Sequence, residues 1–318
     1  MQWTDRIGRR VKLRDLHVFL AVAQAGSMAK AAEQLGVSQP VVSKTISDLE
    51  HALSIRLLDR NFRGVEPTAH GDAFVNCSTA VFDEIKRGVQ QLTFLSDPTV
   101  GELGIGCTTP LADGLIPAIL ERLTTRYPKI SLHVSDGDSP TLCRLLRERN
   151  VDFVIGRTWG KNYGDDFTAE PLFDEALFVV AGLESPWLRR RKIEFTQLLD
   201  EAWVLPESEN VVGMLVAESF RRAGVSLPTA RIVSNSMSVR VRLVESGPFL
   251  SLLPGSMLHF GVRRLKLKAL TVRLPLQTQP VEITALKNRT PNPIARLFIE
   301  ELRDLVRPLT RITSRGSK

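Results

Sequence analysis

Along residues 13–58 apolar side chains return every three or four positions, interrupted by Gly26 and Gly36, and the pattern predicts three short helices in an all-α start. Asn61, Gly64 and Pro67 then supply turn chemistry beside Arg60 and Arg63, predicting a small wing-like loop rather than a fourth helix. From 69 to about 95, Phe74, Val75, Val81, Phe82, Ile85, Val89, Leu92 and Leu95 mark one stripe of a helix, which would span roughly 40 Å. Nothing local covers such a stripe along its length. A partner helix from another subunit is the preferred cover, with packing on its own domain as the alternative. Asp97 and Pro98 end the helix.

Beyond residue 100 the pattern changes to short β-rich runs, ELGIGCT, SLHVSD, VDFVIGR, ALFVVAG and FLSLLP, separated by helical stretches such as LIPAILERLTTRY and TLCRLLRERN. This alternation predicts an α/β region with mostly parallel sheets, helices on both faces and ligands at the carboxyl ends of the strands. The region is too long for one minimal sheet. A crossing near 171–174 and a return near 269–273 would divide it into lobes 99–172 plus 273–307 and 173–272. The expected domains are thus a head at 1–67, a linker helix at 68–98, a two-lobed part at 99–307 and a polar, frayed tail at 308–318.

Composition narrows this picture. At 318 residues the chain has room for about two domains. Its 42 Lys and Arg against 35 Asp and Glu leave +7, which suits an anionic partner without identifying one. No uncharged apolar run approaches about 18 residues, so no transmembrane span and no membrane partner are expected. The first dozen residues carry Arg6, Arg9, Arg10 and Lys12 but no apolar core, so no signal peptide is read and a cytoplasmic location is expected. Cys77, Cys107 and Cys143 form neither a disulfide framework nor a metal pair, and the five histidines lack ligand spacing, so neither a metal site nor a cofactor is expected. Redox sensing through Cys107 and Cys143 is weaker than the reading of small buried thiols.

The segment MAKAAEQLGVSQPVVSKTIS at 28–47 fits a helix-turn-helix position by position. Ala32 is small where the helices cross, Gly36 supplies a positive φ for the turn, and Ala31, Leu35, Val37 and Val42 fill the shared core. Ser38 is expected to cap the second helix with its hydroxyl, and Pro40 lacks only a donor that the first turn leaves unused. Gln39, Ser43 and Lys44 then lie at the exposed start, where Gln can pair with adenine and Lys or Ser can reach guanine or phosphate. Periodicity alone fits a solvated helical hairpin equally well.

The longer stretch LRDLHVFLAVAQAGSMAKAAEQLGVSQPVVSKTISDLEHALSIRLLDR, followed by a wing and EPTAHGDAF, closely resembles the LysR-type transcriptional regulators. Leu58 stands where that family often has an aromatic, and His70 replaces a small residue. The resemblance implies a winged helix, a dimerising linker helix and a two-lobed co-inducer domain like a periplasmic binding protein, assembled as a homodimer or homotetramer. It implies DNA contacts at Ser38, Gln39, Pro40, Ser43 and Lys44, and at the wing residues Arg60 and Arg63, with Thr68 capping the linker helix. Operator DNA, a small-molecule effector and RNA polymerase are the corresponding partners.

Three strands in the α/β part run into helix starts, where free amides and the helix dipole favour anions. These starts carry Thr108 and Thr109, Ser139, and Asn235 with Ser236. Ser139 and Ser236 taken singly read more simply as helix caps, but the resemblance favours ligand contact for Thr108, Thr109 and Ser236. Together the four residues Thr108, Thr109, Ser139 and Ser236 suggest an interlobe site for a small organic acid. GELGIG has the wrong glycine spacing for a dinucleotide loop, and no nucleophile, base and orienter occur together, so no enzyme is expected. A cytoplasmic solute-binding protein with a helical oligomerisation module, the rival from a binding class, leaves Gln39 and Lys44 without a task, and the enzyme rival is an α/β transferase using the interlobe cleft.

Overall fold

The computed structural model describes residues 10–61, 64–157, 164–208, 211–261, 265–272 and 279–313. They form two compact units, 1–89 and 90–318. In the first, α1 (Leu13–Ala25), α2 (Met28–Leu35) and α3 (Gln39–Leu53) enclose a core in which Phe19, Val22, Ala31, Val42 and Ile46 are fully buried. Leu35 and Val37 close that core from its edge. Strands β1 (Leu58–Asn61) and β2 (Gly64–Pro67) pair antiparallel as the wing, with Leu58 opposite Pro67. Leu58 is buried, so the leucine in LLDR anchors the wing to the head.

Helix α4 (Ala69–Ser96) follows, 28 residues long and therefore roughly 42 Å. Thr68 starts it: its Oγ1 accepts from the Gly71 amide at 3.0 Å and donates to the Arg56 carbonyl at 2.9 Å. The expected stripe divides. Phe74 packs edge-on against Phe19 at 5.3 Å and Phe82 lies 6.0 Å from the His17 ring, so the first half of the helix packs on the head and the compact unit extends beyond residue 67. Further along, Ile85, Val89, Leu92 and Leu95 are between 45% and 70% exposed.

The second unit contains two five-stranded sheets. The first joins β3 (Gly101–Thr108), β4 (Ile130–Gly137), β5 (Phe153–Arg157), β6 (Phe167–Glu175) and a returning strand (Gln279–Leu286), in the order β4, β3, β5, returning strand, β6. Thr109–Ala112 and Leu115–Arg126 form α5 and α6 between β3 and β4; Ser139–Arg147 forms α7 between β4 and β5. The second sheet contains β7 (Leu177–Gly182), β8 (Ala202–Leu205), β9 (Ile232–Val233), β10 (Phe249–Pro254) and β11 (Leu267–Ala269), ordered β11, β7, β10, β8, β9. Helix α8 (Val211–Arg222) connects β8 to β9, α9 (Met237–Ser246) connects β9 to β10, and α10 (Gly255–Gly261) follows β10. The returning strand is β12, and α11 (Pro293–Thr313) closes the first lobe.

Three expectations are corrected. The sheets are mixed rather than mostly parallel: β12 runs antiparallel to both β5 and β6, and β7 runs antiparallel to β10 and β11. The strands that carry the chain between lobes pair without a crossover helix, which frees them from the parallel arrangement. The crossing falls at Ala176, between β6 and β7, and not at 171–174. Pro171 is accommodated because β6 is an edge strand and the β12 pairing shifts register beside it, between Val281 and Glu282. At the C-terminal end, the helix continues through Pro308 to Thr313, and Leu309 is buried in the first-lobe core, so 308–313 are not a frayed tail. The proposed return at 273 borders residues 273–278, outside the described residues.

Candidate functional site

Helix α3 presents two faces. Val42, Ile46 and Leu49 point into the head, whereas Ser38, Gln39, Pro40 and Lys44 are exposed and Ser43 is half-buried. Gly36, at φ 64°, ends α2 in the left-handed conformation, and the amides of Gly36 and Val37 return to the Ala32 carbonyl. The turn is the one expected, but the cap is not. Ser38 occupies the N-cap position without a side-chain capping bond. Pro40 removes one usual amide target, and the Val41 amide goes instead to the Ser38 carbonyl at 3.0 Å. The Ser38 hydroxyl is therefore not committed to capping.

The wing meets the same face. Arg60 Nη1 donates to Ser43 Oγ at 3.5 Å, which joins α3 to β1. Arg63 lies outside the described residues. Sequence reasoning missed Glu50: its Oε1 accepts the Leu57 amide at 2.7 Å and the Leu58 amide at 3.1 Å, so a carboxylate in the last turn of α3 fixes the start of the wing. Neither helical periodicity nor a local motif announces this contact, because its partners are loop and strand amides.

In the second unit, topology places two crevices. The connection after β3 leads to β4 on one side, while that after β5 leads towards β6 on the other. In the other sheet, β8 leads to edge strand β9 and β10 leads to the opposite edge strand β11. Connections diverging from adjacent strand ends create switch points, where open α/β sheets bind ligands. Thr108 and Arg157 end the first pair of strands; Leu205 and Pro254 end the second.

The four candidate effector residues occupy these strand and helix ends with differing freedom. Thr108 precedes the single-turn helix α5 and makes no side-chain cap bond. Thr109 Oγ1 donates to Asp136 Oδ2 at 3.1 Å. Ser139 is the first residue of α7, but the cap is Asp138, whose carboxylate accepts the Thr141 amide at 3.0 Å and is held below the usual carboxylate range by that residue. Ser236 is a cap after all: Oγ accepts the Val239 amide at 3.4 Å and lies 2.9 Å from Ser238 Oγ. Burial, reinforced by Asp136, pushes Asp113 above its ordinary value. The first-lobe strand ends are therefore acidic, because Asp113, Asp136 and Asp138 all gather there. A cavity of about 270 Å³ at the lobe junction is lined by Glu175, Phe178 and His259 among others, and by none of the four.

The junction itself is tied by Glu175, whose Oε1 accepts the Ser256 amide at 3.0 Å and whose Oε2 meets the Ser256 hydroxyl. Burial raises this carboxyl, while Ser256 and the Arg157 charge oppose the shift. Cys107 is buried and its thiol is pushed up to about 12 by desolvation, then by Asp136 and Asp113. Cys143 is likewise raised to about 11 by burial. Neither is a reactive thiolate at neutral pH. An aromatic disulfide reagent is expected to label exposed Cys77 rapidly and the other two only on unfolding. Rapid native labelling of Cys107 would contradict this assignment.

A winged helix-turn-helix head, a long connecting helix and a two-lobed α/β domain define a DNA-binding regulator with a ligand domain. Residues 13–72 match the model of the bacterial regulatory helix-turn-helix protein of the lysR family, and residues 96–307 match that of the LysR substrate binding domain. The chain belongs to the LysR family of transcriptional regulators, which are not enzymes. It is 26% identical over 295 residues to the HTH-type transcriptional regulator GbpR of Azospirillum brasilense, covering 92% of this chain and 86% of that protein. The regulator PcaQ of Agrobacterium fabrum is 24% identical over 298 residues, 94% of this chain and 96% of that protein. The same fold occurs in a full-length OxyR variant from Pseudomonas aeruginosa, with TM-score 0.67, 23% identity and coverage of 92% and 95%. Full-length CbnR complexed with its target DNA gives TM-score 0.54 and 23% identity, with coverage of 92% and 99%. Among the described residues no helix is long and apolar enough to cross a membrane.

Proposed function

We propose that this LysR-type regulator reads its operator with Gln39, Ser43 and Lys44 in the major groove, with Ser38 and Pro40 at the groove edge and Arg60 and Arg63 on the flanking backbone. The observation that carries this reading is the uncovered start of α3 joined to the wing through Arg60 and Ser43. Exposed hydroxyl, amide and ammonium groups at a helix start supply both base-edge and phosphate contacts. The exposed apolar positions on the distal half of α4 support a homodimer through paired linker helices, with tetramers as the higher assembly. The assigned segments are the head at 1–67, the linker helix at 68–98 and the lobes of the effector domain, acting in the cytoplasm together with RNA polymerase.

Thr108, Thr109, Ser139 and Ser236 serve as effector contacts in this reading, and the co-inducer is a small organic acid. The start of the ten-residue α9 supports anion binding, whereas the first-lobe hydroxyls suit other polar groups of the effector, and ligand-dependent lobe closure would shift the population of paired-head arrangements. For DNA recognition, a gel shift with the chain's own upstream region should give retention that survives competitor DNA. Gln39→Ala is expected to cost about 1–3 kcal/mol at one base position and to relax the preference there, while Lys44→Ala weakens binding across sequences if it contacts phosphate. An unchanged sequence preference in the Gln39 variant would remove that residue from base reading.

A further inference from the structure

Arg240 lies on the sheet-facing side of α9, with Met237, Val241 and Val244, where helical periodicity would place an apolar residue. Only 2% of it is exposed. Its Nη1 donates to the Leu252 carbonyl at 3.4 Å, and Nη2 lies 3.5 Å from the Met237 sulfur. Its Nε has no hydrogen-bond partner among the described residues. A long carbonyl contact and a thioether, itself a weak acceptor, leave a buried cation poorly compensated. Desolvation lowers its pKa to about 10, and no acid among the described residues opposes that shift, so the group remains protonated at neutral pH.

Its place in the fold is specific. Helix side chains lean towards the N-terminus, and the Met237 contact puts this guanidinium beneath the first turn of α9. Leu252 is the fourth of the six residues of β10, paired with Val179 of β7, two positions beyond the β8 pairing at Leu250 and two short of Pro254 at the carboxyl end. Arg240 thus adjoins the second-lobe switch point and a ten-residue helix start. Two features favouring anions coincide there, beside Glu207, whose carboxylate accepts from Asn235 Nδ2 at 2.7 Å just before the helix start.

We propose that Arg240 is the anion-pairing residue of the effector site, receiving a carboxylate of the co-inducer between the first turn of α9 and the end of β10. The proposal rests on the organic-acid reading and specifies which lobe holds the acid group. Met237, itself only 4% exposed, covers the guanidinium with an unbranched, flexible side chain, and admitting a carboxylate requires its thioether to rotate aside. A planar two-oxygen acid matches the guanidinium fork, whereas hydroxyls or amides elsewhere on the effector fit the first-lobe Thr108 and Thr109.

The test uses the full chain, with benzoate and succinate as probes and benzamide and succinamide as uncharged controls, read by calorimetry. Wild type is expected to bind at least one acid and to prefer it to its amide. Arg240→Met should weaken that binding on the order of 30-fold or more while leaving the ligand-free melting temperature unchanged or raised. Arg240→Lys, which keeps the charge but loses the fork, should bind between the two. Equal acid binding by wild type and Arg240→Met overturns this assignment and leaves the organic-acid reading standing. Silence of wild type to both acids overturns that reading and the assignment with it. If Arg240→Met does not fold, Arg240→Lys decides: acid affinity and acid-over-amide preference identical to wild type refute the fork.

Discussion

Replacing Trp203 with alanine is expected to destabilise the second lobe by about 4 kcal/mol, near the upper range for truncating a large core side chain. Trp203 is completely buried, packs edge-on against Phe220 at 5.5 Å and donates its indole N–H to the Leu198 carbonyl at 2.7 Å. Alanine leaves a cavity and also removes the donor from a buried carbonyl, so the two losses accumulate. Trp203→Phe keeps most of the ring contact but loses the hydrogen bond and should cost about 1–2 kcal/mol. Scanning calorimetry should show the effector-domain transition moving down. The head transition should stay in place, because its core contains none of the Trp203 cluster. A shift smaller than that of Trp203→Phe would mean that neighbouring side chains refill the space.

The second large effect lies in the head, at Gly71. A Cβ at this position would stand 2.0 Å from the Leu57 carbonyl oxygen and 3.0 Å from Pro67 Cβ. That carbonyl already accepts the Thr68 amide at 2.9 Å, and Thr68 caps α4, so the backbone cannot retreat without disturbing the junction between wing and linker helix. Helix propensity favours alanine over glycine by about 1 kcal/mol, whereas forcing atoms into this contact costs about 3 kcal/mol, so Gly71→Ala should lose about 2 kcal/mol net. Gly88 supplies the opposite sign within one protomer: it is in the same helix, and a Cβ added there would meet nothing within 4 Å of its own chain, so Gly88→Ala should follow propensity and stabilise by up to about 1 kcal/mol, a gain that paired linker helices crossing at Gly88 would reverse. Thermal melts of the two variants, alongside the operator gel shift, read both effects. Stabilisation by Gly71→Ala would show that the close approach relaxes cheaply.

These two sites differ in how visibly the chain announces them. Trp203 sits in the short run AWVL, whose apolar character suggests burial, although nothing in that run names Phe220 or the Leu198 carbonyl. Gly71 falls within EPTAHGD, a segment recognisable by family resemblance, but the reason for glycine is the Leu57 carbonyl, fourteen positions away in the chain. The candidate DNA face is more legible than the effector site. Residues from Ser38 to Lys44 belong to one helix start, whereas effector contacts must converge from separated strands.

What the amino-acid order determined on its own was therefore local: the head helices, the turn at Gly36 and the alternation of strands and helices beyond residue 100. Each follows from backbone preferences or side-chain periodicity over a few residues. Tertiary structure decided which nearby oxygen became the cap at α7, where Asp138 displaced Ser139. It also determined the antiparallel closure by β12, joined Glu175 to Ser256 across 81 residues, and buried Arg240 against Leu252. Such outcomes depend on desolvation and on partners remote in sequence, which no local pattern specifies.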